Sequence, residues 1–169
     1  MTRYDARAWC RSEHLLDGPG RRRCRARIRP SGLCEVSAAA AAKYGPGDRL
    51  GPLISAEQRK EVESFLEPGA GGPDAILVTK PAVLPDKGHY VSPTVISRVD
   101  PDSRLAQEEV FGPVLAILAA DSDEHAVEIA NNSIYGLGGA VWGPEEAALE
   151  VAGRLRTGQV DVNGEAVQR

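Results

Sequence analysis

The chain has 169 residues, 42% of them hydrophobic and 26% charged, with 20 Lys and Arg against 24 Asp and Glu for a formal net charge of −4. That length holds one ordinary domain with a buried core, and no apolar run approaches the roughly 18 residues of a membrane-crossing helix, so no membrane partner is assigned. Arg3, Asp5, Arg7 and Arg11 interrupt any signal-like apolar stretch, so a cytoplasmic protein with free thiols is expected.

The charge is unevenly divided. Residues 1–36 carry nine Arg against four acids, a net of +5, whereas residues 37–169 carry eleven Lys or Arg against twenty acids, a net of −9. The first segment shows neither helical nor strand periodicity and is broken by Gly18-Pro19-Gly20 and Pro30-Ser31-Gly32, so it reads as a basic irregular segment. Its run Arg21-Arg22-Arg23-Cys24-Arg25 would suit an acidic partner. Only Tyr4 and Trp9 offer stacking surfaces there, without a recognisable nucleic-acid module, and no nucleic-acid partner is assigned. Cys10, Cys24 and Cys34 lack the paired spacing of zinc ligands, so no metal is assigned either.

From residue 37 onward, elements can be read in order. Residues 38–44 look like the last turns of a helix, since alanine has the highest helix propensity, and Gly45-Pro46-Gly47 stops it. Ser55, Ala56, Glu57 and Gln58 have capping-box spacing, in which the Ser hydroxyl accepts a helical N–H and Gln reaches back. A helix over 56–66 follows, with Val62, Phe65 and Leu66 on one face and Pro68-Gly69 ending it. Residues 75–78 form a strand, Thr79-Lys80-Pro81 a loop, and the β-rich groups 89–91 and 94–96 flank Pro93, which fits an edge or a bulge.

Residues 114–120 are continuously apolar, as in a strand buried on both faces. Asp121-Ser122-Asp123 caps a helix to about residue 132, with Ala126, Ile129 and Ala130 on one side. A strand over 138–142 precedes a helix with Pro144 at its first position and Ala147, Val151 and Leu155 repeating along it. Arg154, Arg156 and Gly158 end that helix, and Val160 and Val162 alternate with Asp161 and Asn163 in a third strand. The expected fold class is α/β, with a parallel β-α-β-α-β sheet, right-handed crossovers and ligands at the carboxyl ends of the strands. Residues 160–163 could leave an open edge for a partner's strand. His89 stands without a nucleophile or acid partner nearby in sequence and reads as structural or exposed, His125 lies on the polar side of its helix and reads as exposed, and Trp142 reads as packing.

The stretch richest in chemistry is Glu108-Glu109-Val110-Phe111-Gly112-Pro113-Val114. Residues two apart in an extended segment face the same side, so Glu109 and Phe111 can present a carboxylate and an aromatic ring together. Such a pair suits a ribose bearing a flat ring. Gly112 permits close approach of the backbone and Pro113 stiffens the bend. On spacing alone, the same residues also fit a solvated acidic loop with a core Phe.

Those seven residues, with Asp100-Pro101-Asp102-Ser103-Arg104 before them, resemble the Glu-Glu-(Ile/Val)-Phe-Gly-Pro signature of the NAD(P)-dependent aldehyde dehydrogenase superfamily. Further similar motifs stand in the family's order: Gly51-Pro52-Leu53-Ile54-Ser55, Gly88-His89-Tyr90-Val91-Ser92-Pro93-Thr94-Val95, Ala130-Asn131-Asn132-Ser133-Ile134-Tyr135-Gly136-Leu137, and Arg156-Thr157-Gly158-Gln159-Val160-Asp161-Val162-Asn163-Gly164.

The resemblance implies a partial aldehyde dehydrogenase catalytic domain over 37–169, an aldehyde as substrate, and NAD or NADP as cofactor. It places Glu109 on the nicotinamide-ribose hydroxyls, Phe111 against the nicotinamide, Leu137 near the same ring, and Asn163 close to the aldehyde channel. In the family reaction a Cys thiolate attacks the aldehyde, a backbone N–H and an Asn amide hold the oxyanion, hydride passes to NAD(P)+, and a Glu-activated water releases the acid. No catalytic residue is assigned here. None of Cys10, Cys24 or Cys34 stands in the family's Gly-Gln-x-Cys setting, and the general-base Glu stretch, the Asn and the glycine-bearing dinucleotide domain find no counterpart. The expectation is a truncated fragment, inactive alone and binding cofactor weakly, with residues 1–36 arising from a displaced reading frame or a misplaced start. Homo-oligomers, or pairing with a full-length subunit, remain open as partners; the alternative function is a non-catalytic module that pairs in that way.

Overall fold

A computed structural model of the chain describes residues 51–81 and 83–167, with the backbone alone at 8–11, 25–26 and 167. Residues 38–47, Cys24 and Cys34 lie outside the described residues. The strands are β1 (Ala8–Arg11), β2 (Arg25–Ala26), β3 (Ile76–Leu77), β4 (Thr94–Ser97), β5 (Val114–Ala116), β6 (Gly138–Val141), β7 (Gln159–Val162) and β8 (Glu165–Val167). The helices are α1 (Ala56–Ser64), α2 (Arg104–Gln107), α3 (Asp123–Asn131) and α4 (Glu145–Gly153). This is the α/β class, divided between two sheets.

Helix α1 starts where Ser55 accepts the Gln58 N–H at 3.1 Å, one of the donors that a helix start leaves unpaired. Gln58 itself does not reach back to complete a capping box; its amide donates to the Phe111 carbonyl at 3.2 Å. Val62 is wholly buried and Phe65 is 1% exposed. Together with Ile96 and Val99 from the β4 side, Leu105 and Ala106 of α2, Leu118 and Ile129, Phe65 forms the core beside the first sheet. In that sheet β3 runs antiparallel to β4, and β4 parallel to β5. Thr79 extends the first pairing: its buried hydroxyl accepts the Val95 N–H at 3.0 Å.

The second sheet has the order β2-β1-β6-β7-β8. Helix α4 joins the parallel strands β6 and β7 and buries Ala148, Val151 and Ala152 against Val141, Val160 and Val162. Pro144 is the cap of α4 rather than its first helical residue. Helix α3 serves both cores, giving Ile129 to one and Val127 to the other.

Several expectations change here. Strand β5 pairs with β4 and not with β6, so the parallel unit within the second sheet is β6-α4-β7. An apolar run reports that a segment will be covered, not which strand will lie beside it. The strand is also short and half-buried, and the fully buried residues of the run are Ile117 and Leu118 beyond it. Residues 160–162 offer no free edge, because β7 lies between β6 and β8. The antiparallel β8 follows a two-residue turn at Asn163-Gly164, where φ is 53° and 94°. Both values are what an Asn-Gly hairpin turn requires. Within 1–36, where no period was visible, β1 pairs antiparallel with β2 and with β6.

The two Asn residues at the end of α3 lock these parts together. Asn131 donates to the Arg154 carbonyl at 2.9 Å and accepts the Arg156 N–H at 2.8 Å. Asn132 donates to Asp102 at 3.0 Å, and its carbonyl accepts from Gln107 at 3.0 Å.

Two measurements check this packing. A Cβ placed on Gly112 would lie 2.7 Å from both methyl groups of Val62, so Gly112→Ala is expected to cost about 1–3 kcal/mol by overpacking. Val62→Ala alone should cost about 2 kcal/mol, and the double variant should be more stable than the sum by at least about 1 kcal/mol. Strictly additive denaturant midpoints would refute the close approach. At the start of α3, the Glu124 carboxyl is held below its ordinary range by its own backbone N–H, then by the Ser122 hydroxyl and Arg154. Because the folded value is depressed, the associated stability is present above the ordinary carboxylate range and is lost as pH falls through the folded value. Ser122→Ala should therefore raise the Glu124 titration midpoint followed by NMR; an unmoved midpoint would remove Ser122 from that account.

Candidate functional site

The seven-residue stretch forms a bend pinned from below by α1. Two successive short-range bonds, Gly112 N–H to the Val110 carbonyl and Val114 N–H to the Gly112 carbonyl, both 2.8 Å, fold the backbone into consecutive three-residue turns. The Pro113 carbonyl accepts the Thr94 N–H at 2.9 Å and so leads the chain into β5. Gly112 is buried on Val62, and Gln58 holds the Phe111 carbonyl. These contacts fix the backbone and leave side chains to face outward.

Val110 packs partly buried against the Phe65 core. On either side of it, Glu109 is half-buried and Phe111 is 49% exposed. Val110 thus faces the core between a half-buried Glu109 and a half-exposed Phe111. Leu137, 65% exposed, sits just before β6. Its backbone is fixed by the neighbouring glycines: Gly158 N–H donates to the Gly136 carbonyl at 2.8 Å, and a Cβ on Gly136 would meet the Arg156 carbonyl at 2.7 Å.

Glu109 and Phe111 precede β5, and Leu137 precedes β6. The two loops leave from one junction, since Gln107 on one side bonds the Asn132 carbonyl on the other. Asn163 lies elsewhere. It follows the carboxyl end of β7, and its amide both accepts from the Gly143 N–H and donates to the Gly143 carbonyl at 3.0 Å. Leu137 and Asn163 flank opposite ends of the parallel pair, about 17 Å apart along the strands at 3.3 Å per residue.

Sequence reasoning missed Gln58 and Arg104, which touch this bend from positions distant in the chain or on the neighbouring helix. No local signal marks Gln58, whose partner is 53 residues away. The Asn163-Gly164 hairpin was marked by its residue types. His89 pairs its backbone with Leu53, and His125 accepts the Asp121 N–H through Nδ1 at 3.3 Å, with the Asp121 carboxylate 3.7 Å away. Among the described residues, no group of three or more His, Cys, Asp or Glu is placed to hold a metal ion. No described helix is long and apolar enough to cross a membrane. An apolar hollow of about 660 Å³ lined by Phe65, Leu66, Leu77, Val91 and Ile96 lies by β3 and β4, and neither Glu109 nor Phe111 lines it.

The bend thus carries a half-buried carboxylate and a half-exposed ring two residues apart. Known proteins bear on whose bend it is. Residues 35–169 match the model of the aldehyde dehydrogenase family. The geranial dehydrogenase of Castellaniella defragrans is 41% identical over 139 residues, which is 78% of this chain and 29% of that protein. The betaine aldehyde dehydrogenase of Bacillus subtilis is 44% identical over 117 residues, 67% of this chain and 24% of that one. Among solved structures, an aldehyde dehydrogenase of Pseudomonas syringae in complex with NAD+ and octanal superimposes with a TM-score of 0.67 at 36% identity, covering 83% of this chain and 32% of its own. The chain thus spans less than a third of each of these relatives. With the match running through both sheets and the bend between them, the chain belongs to the aldehyde dehydrogenase family.

Proposed function

We propose that this chain carries the nicotinamide-facing edge of an NAD(P)-dependent aldehyde dehydrogenase, and that these 169 residues alone do not oxidise an aldehyde. The observation that carries the reading is the pinned bend, which keeps Phe111 about half exposed beside a half-buried Glu109 although the backbone beneath them is buried. The residues fit the group in kind: the Glu109 carboxylate can accept from both hydroxyls of a ribose, and the Phe111 ring can lie against a flat heterocycle. When bound, the nicotinamide would accept hydride. Glu109 and Phe111 orient it, and Leu137 adds apolar surface from the neighbouring loop. The NAD+ and octanal of the Pseudomonas syringae relative support this cofactor and substrate class.

Turnover needs more than an orienting edge. A thiolate, a base and an oxyanion donor must converge on the aldehyde, and the described residues bring together no such set. Without contacts to the pyrophosphate and adenosine, the ribose grip should be weak. The full chain given NAD+ or NADP+ and a series of short and long aldehydes should therefore form no NAD(P)H. Turnover that disappears on changing one cysteine would overturn the inactivity. Nicotinamide mononucleotide followed by NMR should bind weakly but saturably, and Glu109→Gln should weaken it roughly tenfold through loss of the charged acceptor. Binding unaffected by both Glu109→Gln and Phe111→Ala would refute the cofactor reading.

A further inference from the structure

We infer that Arg104 is a positioning residue for the cofactor-facing pair: it fixes the start of the bend, and hence Glu109, to helix α1. The inference rests on the reading of Glu109 and Phe111 given above. The guanidinium of Arg104 is engaged on every side. Its Nε donates to Glu108 at 3.0 Å, one terminal nitrogen to the Ser64 hydroxyl at 3.0 Å, and the other to Glu61 at 2.8 Å. Its carbon stands 4.0 Å from the centre of the Phe65 ring.

Three of these partners belong to α1 or its cap, and the fourth is the residue immediately before Glu109. A planar fork with five donors can serve three oxygens while stacking on a ring; an ammonium group, as a point charge, cannot. The ion pairs are solvent-accessible, with the Arg104 side chain 41% exposed. Exposed pairs add little stability, so their consequence lies in geometry. Phe65, 1% exposed, is an immobile surface for the guanidinium to lie on. The far side of the bend has its own ties, Gln58 on the Phe111 carbonyl and Gly112 on Val62. Losing Arg104 should consequently loosen Glu109 and Val110 more than Gly112 or β5.

The test uses the full chain, nicotinamide mononucleotide as the probe, and the variants Arg104→Met, Arg104→Lys and Glu61→Gln. In Arg104→Met the amides of Glu109 and Val110 should exchange with solvent faster while those of Val114 and Ile117 do not change. The probe should bind roughly fivefold to tenfold more weakly, because a loosened acceptor must be ordered on binding. Arg104→Lys should restore less than half of the loss, and Glu61→Gln should show a smaller drop in the same direction. Should Arg104→Met fail to fold, Glu61→Gln decides, since it takes the charge from one exposed leg of the clamp and leaves Phe65 covered. Wild-type binding that neither variant alters would overturn the role of Arg104 and leave the reading of Glu109 standing. A wild-type chain indifferent to the probe would overturn that reading and the inference with it.

Discussion

The structure around the candidate site depends on one close approach, the buried backbone of Gly112 on the methyl groups of Val62. Helix α1 can lie this near only where the opposing residue has no side chain. Because Val62 is wholly buried there, the helix and the bend share one dry interface. The next residue, Pro113, offers its carbonyl to Thr94 and sets the parallel register of β5 on β4. Sheet register and site geometry therefore come from the same few atoms. A residue larger than Gly at 112 would have to lift α1, along with Gln58 and the acceptors of Arg104, or shift β5; dense packing leaves no third response.

The second constraint is polar. Helix α3 faces two apolar cores, so hydrophobic contact alone could let the sheets shift against each other about it. Asn131 and Asn132 remove that freedom by bonding on opposite sides: the Asn131 amide to the backbone of Arg154 and Arg156 at the end of α4, and Asn132 through its amide to the Asp102 carboxylate and through its backbone carbonyl to the Gln107 side chain. An amide carries a donor and an acceptor on one short arm, which a hydroxyl or a carboxylate cannot reproduce in the same geometry. The loops bearing Phe111 and Leu137 consequently depart from a fixed point.

What could be read from the sequence was local, and what could not was a matter of partners. The caps at Ser55 and Ser122 were legible because a hydroxyl at a helix start has one obvious acceptor role, and both accept as expected. The apolar stripes were legible from their period, as the burial of Val62, Phe65, Val151, Leu155, Val160 and Val162 bears out. The placement of β5 was not, since its apolar character fits either sheet equally well. Gln58 illustrates the same limit on a smaller scale: its spacing fitted a capping box, yet the Phe111 carbonyl, 53 residues on, holds its amide. Of the site, residue types and the stiffness of the bend were visible in the motif; the platform that holds it was not. The Asn163-Gly164 hairpin is legible in its residue types.

The exposed apolar side chains of the site's loops are held out by the backbone. Exposed apolar side chains on loops normally fold back or drag the backbone with them, because burying a Phe or Leu side chain is worth about 1.5–3 kcal/mol. Here Phe111, Ile134 and Leu137 stay outward at 49, 90 and 65% exposure. Their loops can resist collapse because the restraint is on the backbone: Gln58 on the Phe111 carbonyl, the Gly136 and Gly158 contact beneath Leu137, and the Asn132 junction between them. A surface ordered in this way has already met the entropic cost of holding its shape, so a partner or cofactor gains most of the contact it makes. The weakness expected of binding by this chain then reflects too little contact area, and not a site that must first assemble.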